Sequence, residues 1–529
     1  MRALTRTQAG IIALAVVLVV AIVAGLYFGG VFAPPATTTP PITTASPVTS
    51  PTSPPATTTS PTVAPSPTAP PTTTPPTTTP QTTTPSALVI GGISIPVNSS
   101  FLQFVSACKS GAIPAGSITI YFGAALSSDE KPAFDDLIRK FEQEYPCISV
   151  KFTNYADMNT LKTTVVAAVA TGQVGAGPDV FTWAHDWIGA FADKGYIVPL
   201  ESLIGANATA VIRSALIPPA ASAVMYKLNT YGIPYAGEAI ALIVNTKMVP
   251  TFPQTFDDMK RIMQQFYNPS NDTFGLAYQV DPYHIYPWVT AFGGYYYDQT
   301  TDSVGVNSTG TKEGIKFFIA NVLPYLDYRD LGAPYQPNLF FNGRAPMIIT
   351  GPWNIAGINA SIGLSNVIVG PIPPIIINGT KYVPKPFSGF RNLYITSLAT
   401  AGDPRRAQAA ALFVMWMGLN DDAIKELMAR NGYVPVKASV LQYLEQNKDK
   451  YPIIYGFAQA VLTSTPMPNS PKMDVVWNIG TYLNAIINAY TSALSQGKSQ
   501  ADAIRAALDI VDQQLDQAYA SIMQQLSSS

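Results

Sequence analysis

A chain of 529 residues is too long for one ordinary domain and has material for two sizeable cores. Hydrophobic residues make up 47% of it, as in globular proteins, but charged residues only 12%; a net charge of −1 leaves no basic footprint for nucleic acid. Two cysteines and two histidines exclude a Cys-rich metal centre and leave little to ligate any metal.

Arg2 and Arg6 precede an uncharged apolar run from Ile11 to Phe28. With its flanks the run is about 20 residues, enough for one membrane-crossing helix, and the positive flank keeps the N-terminus inside and exports the rest. Residues 1–33 are therefore expected to be a transmembrane anchor. A cleaved signal is the alternative, disfavoured because the small-residue site near Ala33 runs straight into Pro34. No cysteine follows the run, which excludes a bacterial-type lipid anchor. Residues 34–86 are almost wholly Pro, Thr, Ser and Ala, with nothing to bury, and are read as an extended stalk resembling O-glycosylated spacers. Six N-x-S/T sequons, at Asn98, Asn207, Asn271, Asn307, Asn359 and Asn378, suit an exported, glycosylated chain. Residues 87–117 form a preface containing Cys108. Outside the cell it can pair with Cys147 in a disulfide, or both can stay as buried thiols.

From Ser117 the pattern alternates between periods of two and 3.6. Ser117–Phe122 is predicted as a strand. Ser127 and Glu130 form a capping box ahead of a helix bearing Phe134, Leu137, Ile138, Phe141 and Tyr145. Ile148, Val150 and Phe152 mark a second strand. Leu161, Val165, Val166 and Val169 mark a helix stopped by Gly172, and Pro178–Trp183 a third strand running into a helix through Ala190. This is an α/β chain with a parallel sheet and covering helices. One long amphipathic helix, with Ile504, Leu508, Val511, Leu515, Tyr519 and Ile522 on one face, is expected at the C-terminus.

No G-x-x-x-x-G-K-[ST] loop and no G-x-S-x-G elbow occurs, and His185-Asp186 lacks a second zinc-motif histidine. Aromatics beside single polar groups stand in loop-like contexts instead: Trp183–Asp186, Asp281–Tyr283, Gly351–Trp353 and Trp477. Sugars need flat apolar platforms and carboxylates that accept from paired hydroxyls, so these residues have the right chemistry, although any one aromatic taken alone reads first as core packing.

The run Gly177-Pro-Asp-Val-Phe-Thr-Trp-Ala-His-Asp186 resembles the corresponding stretch of the maltose/maltodextrin-binding proteins of ABC importers. Similar stretches follow in order: Ile233–Lys247, Asp281-Pro-Tyr283, Gly293-Gly-Tyr295, Phe341-Asn-Gly-Arg344, Gly351-Pro-Trp353, Lys385-Pro-Phe-Ser-Gly389 and Pro471–Trp477. The resemblance covers roughly Ser117 to Gln517. It implies a type II periplasmic-binding-protein fold with lobe 1 over 118–236, lobe 2 over 240–386, a return to lobe 1 over 389–433, and lobe 2 helices over 436–526. The crossings fall near Gly237–Ala239, Phe387–Phe390 and Asn431–Val436.

Carried over by position, the resemblance makes Trp183 a stacking ring and Asp186 a hydroxyl acceptor. Glu238 becomes the hinge glutamate, Asp281 and Tyr283 a shortened Glu-Pro-Tyr element, and Trp353 and Trp477 the two tryptophans stacking on successive rings. The chain departs from the family at Gly123–Leu126, where an Asp-Lys pair is missing, and at Trp187 and Thr481, where arginines are missing. Trp187 is expected to add aromatic surface. The implied function is a non-enzymatic, cofactor-free, monomeric extracellular receptor that delivers an oligosaccharide to membrane permease subunits. Maltose, maltodextrin and trehalose-like ligands are all open. An extracellular carbohydrate-active enzyme, or the same fold binding a non-sugar solute, is the alternative.

Overall fold

The computed structural model describes residues 87–528. The expected membrane helix and stalk lie outside the described residues. Two sheets organise the molecule, one of six strands and one of four. Their strands, in chain order, are β1 (Ile118–Ala124), β2 (Ile148–Asn154), β3 (Val180–Ala184), β4 (Gly232–Ala239), β5 (Ala241–Asn245), β6 (Ala277–Tyr278), β7 (Met347–Thr350), β8 (Val367–Gly370), β9 (Phe387–Ile395) and β10 (Thr465–Pro466).

In lobe 1, β1 pairs in parallel with β2 and β3, and β9 runs antiparallel between β3 and β4. The sheet is therefore mixed, not parallel as expected, because β9 brings the chain back into lobe 1 from the opposite direction. In lobe 2, β5 lies antiparallel between β7 and β8, and all five of its residues are buried, as a central strand covered on both faces requires.

The expected lobe 1 elements form. Phe134, Leu137, Ile138 and Phe141 are the buried face of the helix Lys131–Glu144. Gly172 closes the helix Met158–Thr171 at φ 65°, a left-handed conformation that glycine adopts without a Cβ penalty. The helix Pro404–Leu419, apolar nearly all round, runs through the lobe 1 core. The preface folds onto this lobe as a hairpin (Leu88–Ile90 with Ile93–Ile95) and a helix (Ser99–Lys109), and a disulfide joins Cys108 to Cys147.

The C-terminus differs from expectation. Instead of one long helix there are two, Gln500–Leu508 and Val511–Ser528, with a turn at Asp509–Ile510. Both pack on the helix Ile479–Ser495, which spans about 25 Å at 1.5 Å per residue. A straight rod would outrun that partner; the turn keeps Ala503, Ala507, Val511, Leu515 and Ile522 buried.

Three segments lie side by side where the sheets meet. The chain leaves β4 and enters β5 across Ile240. Glu238 and Ala239 pair with Gly389 and Ser388, and Gly237 donates its N–H to the Val434 carbonyl at 2.9 Å. A fourth segment, unforeseen in the sequence, joins them: β10 pairs with Phe387 and Ser388.

Candidate ligand-binding cleft

A cavity of about 500 Å³ sits on these segments. Lobe 1 supplies Glu130, Arg391 and Tyr433, and the first crossing supplies Glu238; the opposing wall is Trp353, Ile355, Leu364 and the start of the helix Pro452–Leu462 with Lys450 and Tyr451 just before it. Glu238 and Arg391 also line a narrower space of about 50 Å³ under Trp183, Thr182 and Tyr235.

Trp183 stands at the end of β3, stacked on Trp187 at 5.4 Å and 29°. Trp187 does not add surface to the cleft. It is 5% exposed, packs on Phe181 and Phe191, and carries Lys162 4.8 Å over its ring. The helical turn after β3 points it inward, so it backs Trp183 instead. His185, between them, is fully buried. Its Nδ1 accepts from the Phe390 N–H at 3.2 Å and its Nε2 donates to the Met467 carbonyl at 2.6 Å. Burial lowers its pKa to about 4, which keeps the ring neutral in this role.

Asp186 stands in the helical turn that follows β3 and lines neither cavity. Its Oδ1 is buried with no partner. Burial raises its pKa to about 6, with nearby Asp474 and Glu238 adding and Lys162 opposing. A buried unpaired carboxylate oxygen is costly unless something docks on it.

Glu238 is half-buried, and Gly389 makes room for it, since a Cβ there would come within 3.0 Å of Oε1. Trp353 follows β7 in a short turn and is 48% exposed, the most accessible aromatic face in the cavity. Its ring lies over Gly351, where a Cβ would fall 2.0 Å from the indole. Trp477 is half-buried, edge-on to Phe387 at 5.8 Å and Tyr296 at 6.4 Å. Tyr283 stacks on Phe387 at 6.0 Å and donates its hydroxyl to the Phe387 carbonyl at 3.3 Å. Phe387, parallel to Tyr286 at 3.4 Å, is thus the hub of an aromatic cluster that lies outside the linings of both cavities.

Asp281 is otherwise engaged. One methylene shorter than Glu, it folds back to cap its own helix, Pro282–Ala291, accepting from the His284 N–H at 2.9 Å and facing His284 Nδ1 at 3.0 Å. Its Oδ2 accepts from Gln279 at 2.5 Å. Burial opposes ionisation, but His284 and Gln279 outweigh it and hold the pKa below the ordinary value.

Sequence reasoning missed Arg391 and Tyr433 and gave Glu130 only a capping role. Glu130 does cap: its Oε2 accepts from the Ser127 N–H at 2.9 Å. Its other oxygen accepts from Arg391 at 3.0 Å and Tyr433 at 2.6 Å. Burial pushes its carboxyl up, yet Arg391, Tyr433 and Ser127 together hold it below the usual range. Among the described residues no cluster of His, Cys, Asp or Glu could hold a metal.

The model of the family described as bacterial extracellular solute-binding protein matches residues 136–454. A maltotriose-binding protein of Pyrococcus abyssi is 37% identical over 369 residues, covering 69% of this chain and 75% of the relative. The chain belongs to the extracellular solute-binding protein family. A maltodextrin-binding protein of Bacillus subtilis is 25% identical, covering 77% of this chain and 94% of the relative. Among solved structures, a cyclo/maltodextrin-binding protein complexed with maltotetraose superposes with a TM-score of 0.63 at 22% identity, over 77% of this chain and 97% of the other. A Staphylococcus aureus extracellular solute-binding protein in complex with maltose gives 0.61 at 18%, over 77% and 98%. The two-lobed fold is that of these maltodextrin-binding structures. The chain is a solute-binding protein, not an enzyme.

Proposed function

We propose that this protein is the extracellular substrate-binding subunit of an ABC importer and holds a neutral α-glucan oligosaccharide, maltotriose or a longer maltodextrin, in the cleft. The observation that carries this reading is the make-up of the 500 Å³ cavity: an exposed indole face, Trp353, opposite carboxylates, a guanidinium and a phenol. That pairing of an apolar platform with hydroxyl partners fits a sugar ring. Trp183, Asp186, Glu238, Trp353 and Trp477 are the proposed contacts, with Tyr283 and Trp187 behind them. The P. abyssi relative's own name supports maltotriose over trehalose.

Residues 118–236 and 389–433 act as lobe 1 and residues 240–386 and 436–526 as lobe 2, hinging at 237–239, 387–390 and 431–436. The apolar run in 1–33 is the membrane anchor, and 34–86 the stalk that spaces the receptor from the permease; among the described residues no helix is long and apolar enough to cross a membrane. Asn98, Asn207, Asn271, Asn359 and Asn378 are exposed where glycans would attach, while Asn307 is half-buried and donates to Asp516 at 3.1 Å.

The test is titration of the full-length protein with maltose, maltotriose, maltotetraose, trehalose and cellobiose, followed by tryptophan fluorescence, with products checked afterwards. Saturable binding of an α-glucan without turnover is expected. Trp353→Ala should cost about 2 kcal/mol, some thirtyfold in Kd, with little loss of stability because the ring is exposed. Undiminished affinity in that variant would overturn the site, and turnover would overturn the receptor reading.

A further inference from the structure

The lobe 1 end of the larger cavity is a polar cluster that the stacking residues do not explain. Arg391 Nη1 donates to Glu130 Oε1 and to the Tyr433 hydroxyl, both at 3.0 Å. Its guanidinium lies 4.9 Å over the Tyr433 ring, and its Nε is 3.8 Å from Glu238 Oε2. Three distant stretches of chain therefore fix one planar fork: a helix start, β9 and the 431–436 crossing. Burial works against the charge, but Tyr433, Tyr235, Glu238 and Glu130 hold the guanidinium protonated. Arg391 lines both cavities and its side chain is 35% exposed. Beside it, Asn431 gives its Nδ2 to the Glu130 carbonyl at 3.2 Å, while its Oδ1 is buried with no partner.

A rigid fork with donors to spare, next to an empty-handed acceptor, matches adjacent hydroxyls on one ring. The two carboxylates beside Arg391 offset its charge, so the cluster suits a neutral ring and repels an anionic one. We propose that Arg391, positioned by Glu130 and Tyr433, is a specificity-determining residue that fixes the hydroxyls of the sugar ring in the larger cavity, with Asn431 accepting from the same ring. The inference rests on the sugar-binding reading above.

The experiment measures Kd for maltose, maltotriose and trehalose, and the unfolding midpoint, on full-length wild type, Arg391→Ala, Arg391→Lys and Glu130→Gln. Arg391→Ala should weaken the preferred sugar about tenfold or more and flatten the ranking among the three. Arg391→Lys should recover little, because one ammonium cannot reproduce the fork. Glu130→Gln loosens the fork without removing it and should shift the ranking the same way by less; it decides the matter if Arg391→Ala fails to fold. Wild-type ranking retained in the folded variants would overturn this proposal alone. A wild type that binds no sugar would overturn the sugar reading and this inference with it.

Discussion

Asp186 puts a charged group where burial opposes it, and that makes its titration a reporter of the ligand. In the free protein its pKa is raised to about 6, chiefly by burial, with Asp474 and Glu238 adding and Lys162 opposing. The sign for stability follows from the raised value: stability is full below the ordinary carboxylate value of 3.8 and is lost as pH rises from there through about 6, where the buried carboxylate ionises. Binding has the opposite sign. Sugar hydroxyls donating to the carboxylate favour the ionised form, so affinity is full above pH 6 and falls below it. Between about pH 8 and about pH 5 the Kd should rise about tenfold, and Asp186→Asn should abolish the slope at the cost of weaker binding throughout. Isothermal titration at the two pH values checks it; an affinity that improves in acid would mean that the protonated acid donates instead.

Among the elements, the preface helix Ser99–Lys109 shows how a segment outside the lobe rhythm becomes part of a core. Phe101, Phe104, Val105 and Cys108 are buried against lobe 1, and the Cys108–Cys147 bridge closes a loop of 39 residues. Loop-closure entropy puts its contribution at up to about 4 kcal/mol. Cys108→Ala should therefore lower the thermal midpoint markedly while leaving sugar affinity nearly unchanged, since neither cysteine lines the cleft; equal midpoints with and without the bridge would show that the preface is held by packing alone. Elements of this kind also set the limit of what the sequence discloses. The helix Lys131–Glu144 and strands β1–β3 were legible because their apolar spacing is local. Trp353 was legible because Gly-Pro-Trp is a contiguous motif. The cluster of Glu130, Arg391 and Tyr433 was not, because its members lie 42 to 303 positions apart, Glu130 already had a local role as half of a capping box, and Arg391 and Tyr433 stand in no motif. Asp281 misled for the converse reason: its neighbours matched a motif, but a side chain shortened by one methylene finds its own helix first. Trp187 was misplaced because the turn that follows β3 decides which of two neighbouring indoles faces out.

At the scale of the whole molecule, the cavity spans the hydrogen-bonded crossings, with Glu130 and Arg391 on one side, Glu238 and Tyr433 on the crossings themselves, and Trp353 and Ile454 on the other side. A ligand shifts a conformational equilibrium only by its difference in affinity for the two states. A sugar that touches both walls meets that condition, because only the closed arrangement supplies both sets of contacts at once. Saturating sugar should therefore reduce the radius of gyration measured by small-angle scattering. At about a hundredfold excess over Kd it should also add about 2.7 kcal/mol to stability, seen as a higher thermal midpoint. Trp353→Ala separates the two effects. Residual binding through Trp183, Asp186 and Glu238 still raises the midpoint in proportion to the remaining affinity, but the contraction is lost because the lobe 2 wall no longer grips. Contraction retained in that variant at full occupancy would place the closing contact elsewhere, with Trp477 the next residue to remove.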